Sequence, residues 1–131
     1  MATTKKRILV VDDEVSFTRL LKLNLEQTDR YEVHVENTAV QALPAARRLK
    51  PDLILLDVMM PEMDGGTLAG RLREVASLEK VPIVFLTAAV KKEEVASRRG
   101  QIGGFPFMAK PVELAELLDC LKEQLAAPAQ P

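Results

Sequence analysis

The sequence predicts an α/β fold of the (βα)5 type: a doubly wound, parallel, five-stranded sheet with helices on both faces. Three observations carry this. Short continuous apolar runs recur along the chain, each bounded by charged or turn-forming residues. Between them lie segments whose apolar residues recur at helical spacing. Several of the runs are apolar on both faces, as strands are when helices cover a sheet on both sides.

Taken in order, "RILVV" (Arg7–Val11) reads as a strand buried on both faces, and Val15–Gln27 as a helix with Phe17, Leu20, Leu21 and Leu25 at helical spacing. "YEVHVE" (Tyr31–Glu36) alternates apolar and polar residues, so it is a strand with one wet face and His34 on that face. Thr38–Arg48 has a helical pattern interrupted by Pro44. Proline costs about 3 kcal/mol inside a regular helix, so this one is expected to kink or to begin late. "DLILL" (Asp52–Leu56) and "PIVFL" (Pro82–Leu86) are further doubly buried strands, and Thr67–Ala76 is a helix between them. Lys91–Arg99 is a short polar helix with Val95 as its one large apolar residue, capped by Gly100, and therefore the least firmly held. "FPFMA" (Phe105–Ala109) is the fifth strand. Val112–Leu125 is an amphipathic helix with Leu114, Leu117, Leu118, Leu121 and Leu125 on one stripe. The half-polar second strand and the Pro106-containing fifth belong at the edges, with the first, third and fourth central, which fits the flavodoxin-like order 2-1-3-4-5.

The 131 residues suit one domain, residues 1–125, followed by a disordered tail, "AAPAQP", over residues 126–131. A net charge of −1 exerts no general pull on nucleic acid or anionic lipid, so neither is expected as a direct partner. A single cysteine, Cys120, excludes an internal disulfide and a cysteine-based metal site. The N-terminal apolar run ends at Asp12 and Asp13, too short for a signal peptide or a membrane span, which points to a cytoplasmic location.

In a parallel sheet the C-terminal ends of the strands share one rim, where ligands bind. Past the first strand stand Asp12 and Asp13, past the third Asp57, past the fourth Thr87 and past the fifth Lys110; Asn37, past the second, has no evident role. Two carboxylates about 5 Å apart repel by roughly 3 kcal/mol at an effective dielectric of about 20. Either one stays protonated or a cation lies between them, and a small all-oxygen site suits Mg²⁺, with Mn²⁺ as the alternative ion. Such a site, with Lys110, would receive a phosphoryl group. Asp57 could then act as the nucleophile toward phosphorus, with Lys110 and Thr87 on the phosphoryl oxygens. Taken singly, each residue has a plainer reading: a helix cap, a turn residue, an exposed lysine or, for Phe107, a core aromatic.

Together these residues resemble the receiver domain of bacterial two-component response regulators, the chemotaxis-regulator type included. The resemblance runs from about Lys6 to Leu125 and rests on "VVDDE", "LLDVMMPEMDG", "FLTA" and "FMAKP", in that order and each after a strand. It implies that Asp57 accepts a phosphoryl group from a phosphohistidine on a sensor histidine kinase or phosphotransfer protein. It implies that Asp13 and Asp57 ligate Mg²⁺ directly, with Asp12 acting through water and the Met59 backbone carbonyl as a third protein ligand. Thr87 and Lys110 would hold the phosphoryl oxygens, Thr87 and Phe107 would form the switch, and the Lys110–Pro111 peptide bond would be cis. Met59 and Ala89 fall at the two positions that tune phosphoryl lifetime. The switched surface, made by the fourth helix, fifth strand and fifth helix, would be read by a downstream effector or by a second receiver as a homodimer. The domain would catalyse only its own phosphorylation and dephosphorylation. The Gly-rich loop "RRGQIGGFPF" departs from the family's usual shorter turn.

Other classes fit less well. A receiver-like interaction module that works without phosphorylation has no need of Asp13, Asp57, Thr87 and Lys110 together. A haloacid-dehalogenase-type phosphatase wants a second acid two residues after its nucleophile, where this chain has Met59. A flavodoxin would find its FMN phosphate repelled by "DDEVS".

Overall fold

The computed structural model describes residues 5–60, 63, 65–88, 101, 102 and 105–126. Its strands are β1 (Lys6–Val11), β2 (Tyr31–Glu36), β3 (Leu53–Asp57), β4 (Ile83–Thr87), β5 (Gln101–Ile102) and β6 (Phe105–Ala109). Its helices are α1 (Val15–Glu26), α2 (Ala39–Leu49), α3 (Gly65–Glu74) and α4 (Leu114–Ala126), with a 3-10 turn at Ala76–Leu78. The sheet order is β2-β1-β3-β4-β6-β5, and every pairing is parallel except β5 with β6. The five parallel strands therefore follow the expected order 2-1-3-4-5.

Alternation of side chains along the central strands divides the core in two. Leu9, Val11, Ile54, Leu56, Ile83, Phe85 and Phe107 point to the face covered by α2 and α3. Ile8, Val10, Leu53, Leu55, Val84 and Leu86 point to the face covered by α1 and α4, where Leu21, Leu25, Leu117 and Leu121 meet them. This is why β1, β3 and β4 read as unbroken apolar runs.

The edge strand β2 keeps its wet side: His34 Nε2 and Glu32 Oε2 are 2.6 Å apart. Helix α1 covers part of its free backbone. Lys22 Nζ donates to the Val33 carbonyl at 2.7 Å, and Glu26 Oε2 accepts the Val33 N–H at 3.1 Å. Side chains thus occupy hydrogen-bonding groups that would otherwise template another strand.

Four expectations are corrected. Helix α2 begins at Ala39 and runs through Pro44, so of the two outcomes expected, kink or late start, the late start does not occur. Pro44 forfeits the bond to the Val40 carbonyl, but Val40 is 64% exposed, and Ala39, Ala42, Ala45 and Ala46 pack the opposite side closely on the sheet. Leu20 does not join the buried stripe of α1 but is 58% exposed. The last helix extends through Ala126, one residue into the expected tail. And β5 pairs antiparallel with the start of β6, Ile102 opposite Phe105 and Gln101 opposite Pro106, so β6 is not the outermost strand. The Gly103–Gly104 dipeptide between them in the sequence is the usual signal for a two-residue hairpin. The expected helix at Lys91–Arg99, its cap Gly100, Ala89 and residues 127–131 lie outside the described residues.

Gly65 opens α3 hard against the end of β3. Its N–H donates to the Val58 carbonyl at 2.7 Å, and a Cβ there would stand 2.5 Å from the Asp57 carbonyl oxygen and 2.8 Å from the Val58 Cα. Backbone cannot yield as a flexible side chain can. A Cβ on Gly70, in the same helix, meets nothing within 4 Å. Gly65→Ala is therefore expected to destabilise the fold by about 1–3 kcal/mol, and Gly70→Ala to stabilise it by about 0.5–1 kcal/mol. Urea midpoints of the two variants check this, and equal effects would contradict it.

Candidate functional site

Strand register delivers the site. Val11 of β1 lies opposite Leu56 of β3, so the next residues, Asp12 and Asp57, stand at one level. Asp57 lies opposite Leu86 of β4, and Thr87 opposite Ala109 of β6, so Lys110 follows one step beyond Thr87. The Lys110 N–H donates to the Thr87 carbonyl at 2.8 Å, and the Val58 N–H to the Leu86 carbonyl at 3.2 Å, which continues the sheet pairing past the strand ends.

Alternation then sorts the side chains. Asp57 continues the series Leu53, Leu55, and Asp12 the series Ile8, Val10, so both share the α1/α4 face. Lys110 joins them, following Met108 of the same cluster. Thr87 follows Ile83 and Phe85 on the opposite face, where Phe107 also lies. The acids and the lysine therefore converge on one side of the rim, and the threonine and the aromatic on the other.

Carboxylate oxygens of Asp12, Asp13 and Asp57 lie within 4.8 Å of one another. Asp12 is fully buried, and both its oxygens are engaged: Oδ1 accepts the Glu14 N–H at 2.9 Å, and Oδ2 accepts from Lys110 Nζ at 2.6 Å. Asp57 is 5% exposed, and its Oδ1 accepts the Met59 N–H at 3.3 Å. Asp13 is exposed. Burial first, and then the charge of Asp12, push the Asp57 carboxyl up to about 6; contact with Asp13 adds to the rise, while Lys110 and the Met59 N–H oppose it. A carboxylate squeezed in this way, among oxygen donors only, is the donor set that suits a hard divalent cation.

Lys110 does not point at Asp57 alone. Its Nζ lies 3.9 Å from Asp57 Oδ1 but donates to Asp12 and, at 2.9 Å, to Glu14 Oε1. It also sits 4.6 Å from the centroid of the Phe17 ring. Burial pulls its pKa down, but the contacts with Asp12 and Glu14 outweigh this and hold it above the ordinary value, so it stays charged. The Lys110–Pro111 peptide bond is cis.

Of the other sequence candidates, Thr87 is buried, and no buried side-chain polar atom among the described residues lacks a partner. Phe107 is buried in the α2/α3-side core, away from the carboxylates. The Met59 side chain is exposed, and only its N–H touches the site. Three contributors lie outside the site residues the sequence predicts: Glu14 and Phe17, which flank Lys110, and Asn37. Asn37 Nδ2 donates to the Asp12 carbonyl at 2.8 Å and to Thr18 Oγ1 at 3.0 Å, tying the β1–α1 loop to the end of β2. Its place past a strand end was the available signal. Cys120 takes no part; burial, with the nearby Glu123, pushes its thiol up to about 11, which leaves it an unreactive thiol.

A family model, "Response regulator receiver domain", matches residues 8–122. The alkaline phosphatase synthesis transcriptional regulatory protein PhoP of Bacillus subtilis is 39% identical over 130 residues, covering 95% of this chain and 52% of the relative. This chain thus spans about half the length of that regulator. The BeF3-activated N-terminal receiver domain of Klebsiella pneumoniae RstA superposes with a TM-score of 0.77 at 32% identity, over 93% of this chain and all of that one. The receiver domain of a Pseudomonas aeruginosa sensor histidine kinase, solved with a magnesium ion in its active site cleft, gives a TM-score of 0.79 at 26% identity, over 95% of this chain and all of that one. No helix among the described residues is long and apolar enough to cross a membrane.

The raised Asp57 carboxyl has a consequence for stability. Its folded pKa, about 6, lies above the unfolded carboxylate value of 3.8, so between those values the folded state holds a proton that the unfolded state releases. Stability therefore falls as pH rises through this window and stays lower above it. In the presence of a metal chelator, Asp57→Asn is expected to raise stability by about 2 kcal/mol near about pH 7.5, with the gain shrinking toward about pH 4. Urea unfolding at the two pH values measures it; a loss of stability at the higher pH would contradict it.

Proposed function

The chain belongs to the response regulator receiver domain family and is a two-component signalling domain, and we propose that Asp57 is its phospho-acceptor. The observation that carries the reading is the placement of Asp57 at the end of a central buried strand, beside two further carboxylates and within reach of a charged lysine. A carboxylate oxygen of Asp57 attacks phosphorus while the P–N bond of a phosphohistidine, on a sensor histidine kinase or phosphotransfer protein, breaks. The electron pair of that bond stays on the imidazole nitrogen, and the product is an aspartyl phosphate.

Asp13 and Asp57 would hold a Mg²⁺ or Mn²⁺ ion directly, aided by the Met59 carbonyl, with Asp12 behind them because its two oxygens are already engaged. When bound, the ion supplies charge neutralisation at the phosphoryl oxygens. The similar Pseudomonas receiver, with its magnesium ion, supports this assignment. The Lys110 ammonium neutralises a phosphoryl oxygen from the other side, and the Thr87 hydroxyl hydrogen-bonds another.

The switch follows from the opposite face. Thr87 lies opposite Ala109, and Phe85 lies opposite Phe107 two residues earlier along the same pair of strands. A Thr87 drawn toward the phosphoryl group alters the packing around Phe107 and with it the surface of β6 and α4. A downstream effector, or a second receiver in a homodimer, reads that surface.

Incubation with acetyl phosphate and Mg²⁺, read by intact mass, is expected to add one phosphoryl group to the wild type and none to Asp57→Asn. An adduct that persists in the variant would overturn the assignment. No adduct on the wild type would favour an interaction module that works without phosphate. Thr87→Ala and Phe107→Ala are expected to weaken the phosphorylation-induced amide shifts along β6 and α4. Wild-type-like shifts in both variants would refute the switch.

A further inference from the structure

Helix α1 starts with an anomaly. Glu14 holds its N-cap position, where Ser, Thr, Asp and Asn are preferred because their short side chains reach the first free N–H groups. The Glu14 side chain makes no cap hydrogen bond. Instead its carboxylate extends over the rim to Lys110, with Oε1 2.9 Å from Nζ. A local rule is set aside, and the side chain so released is used on the one lysine of the site.

Lys110 is held on three sides, and all three belong to the β1–α1 segment: Asp12 Oδ2 at 2.6 Å, Glu14 Oε1 at 2.9 Å and the Phe17 ring at 4.6 Å. Asp57 Oδ1, at 3.9 Å, lies outside hydrogen-bonding distance. The two carboxylates differ in kind. Asp12 is fully buried and needs a counter-charge in every state, whereas the Glu14 side chain is 59% exposed and water can solvate it when it lets go. Glu14 is thus the contact that Lys110 can leave most cheaply.

We propose that Glu14 is a positioning residue for Lys110: it holds the ammonium toward the β1–α1 side and so restrains the rate at which Asp57 takes a phosphoryl group. The proposal rests on the reading of Asp57 as phospho-acceptor. An aspartyl phosphate brings a charge of roughly −1.5 to −2 and competes for the ammonium. Removing Glu14 takes away one competitor in advance.

The test compares phosphorylation rates from acetyl phosphate with Mg²⁺ for the wild type, Glu14→Ala, Lys110→Met and the double variant. Glu14→Ala is expected to react roughly two- to fivefold faster, in keeping with a partly exposed ion pair. That gain is expected to vanish when Lys110 is already Met. If it persists there, Glu14 merely repels the anionic donor and the positioning role is overturned. A second readout needs no reaction: the side-chain ¹⁵N resonance of Lys110 in metal-free, unphosphorylated protein is expected to move in Glu14→Ala. An unmoved resonance together with a wild-type rate overturns the proposal but leaves Asp57 as acceptor. Failure of the wild type itself to form an adduct strikes instead at the reading of Asp57.

Discussion

Asp12 and Asp57 stand side by side because β1 and β3 are parallel neighbours whose register pairs Val11 with Leu56. Neither can retreat, since Asp57 ends β3 and Asp12 directly follows β1, strands whose apolar residues are locked into the two halves of the core. Two carboxylates at such separation repel by roughly 3 kcal/mol, and the burial of Asp57 removes the water that would soften this. The fold therefore creates a site that demands a cation, and much of the surrounding structure answers the demand. Lys110 arrives from β6, the Glu14 and Met59 N–H groups turn toward the carboxylates, and Asn37 fixes the Asp12 backbone.

The same geometry separates chemistry from its readout. Because side chains alternate, consecutive residues at a strand end serve opposite faces. Asp57 and Lys110 face the α1/α4 side, while Thr87 faces the α2/α3 side with Phe85 and Phe107. The sheet itself lies between the acid cluster and the aromatic core. Among the described residues, β4 and β6 run from the rim to Phe107, and the two strands are joined at the rim by the Lys110 N–H and the Thr87 carbonyl.

What the sequence made legible was whatever period and strand position control. The doubly buried strands announced themselves as unbroken apolar runs, and the rim residues followed from where those runs stop. What escaped depends on side-chain reach and on packing between elements. Pro44 is a local defect by pattern, yet α2 runs through it, with four alanines buried on the opposite side of the helix. Leu20 has the right spacing for the core, but the covered stripe of α1 is narrower than the spacing suggests. The antiparallel pairing of β5 with β6 has no apolar run to announce it, since β5 is only Gln101–Ile102 in a Gly-rich stretch. Glu14 could not be placed by pattern at all, since nothing in a sequence says whether a glutamate at a helix start caps the helix or reaches across to another strand.

A site that must keep its cation cannot be both relaxed and reactive. Without a metal ion, Lys110 relieves Asp12 and Glu14 and leaves Asp57 as the strained member, with its carboxyl pushed up to about 6. That strain favours any process that gives Asp57 a partner, whether proton, metal or phosphorus. Under the proposed chemistry the phosphoryl group then competes for the one ammonium, and Lys110 shifts from one set of anions to another rather than gaining a contact outright. Lys110 is joined through its own N–H to Thr87 and lies three residues from Phe107 on the same stretch of chain. Under the proposed switch, a shift of the cation would pull on the β4–β6 junction at the point where the two faces of the sheet meet. On that proposal, charge redistribution at the rim and repacking around Phe107 would be two ends of one displacement, and the surface of β6 and α4 would respond to both.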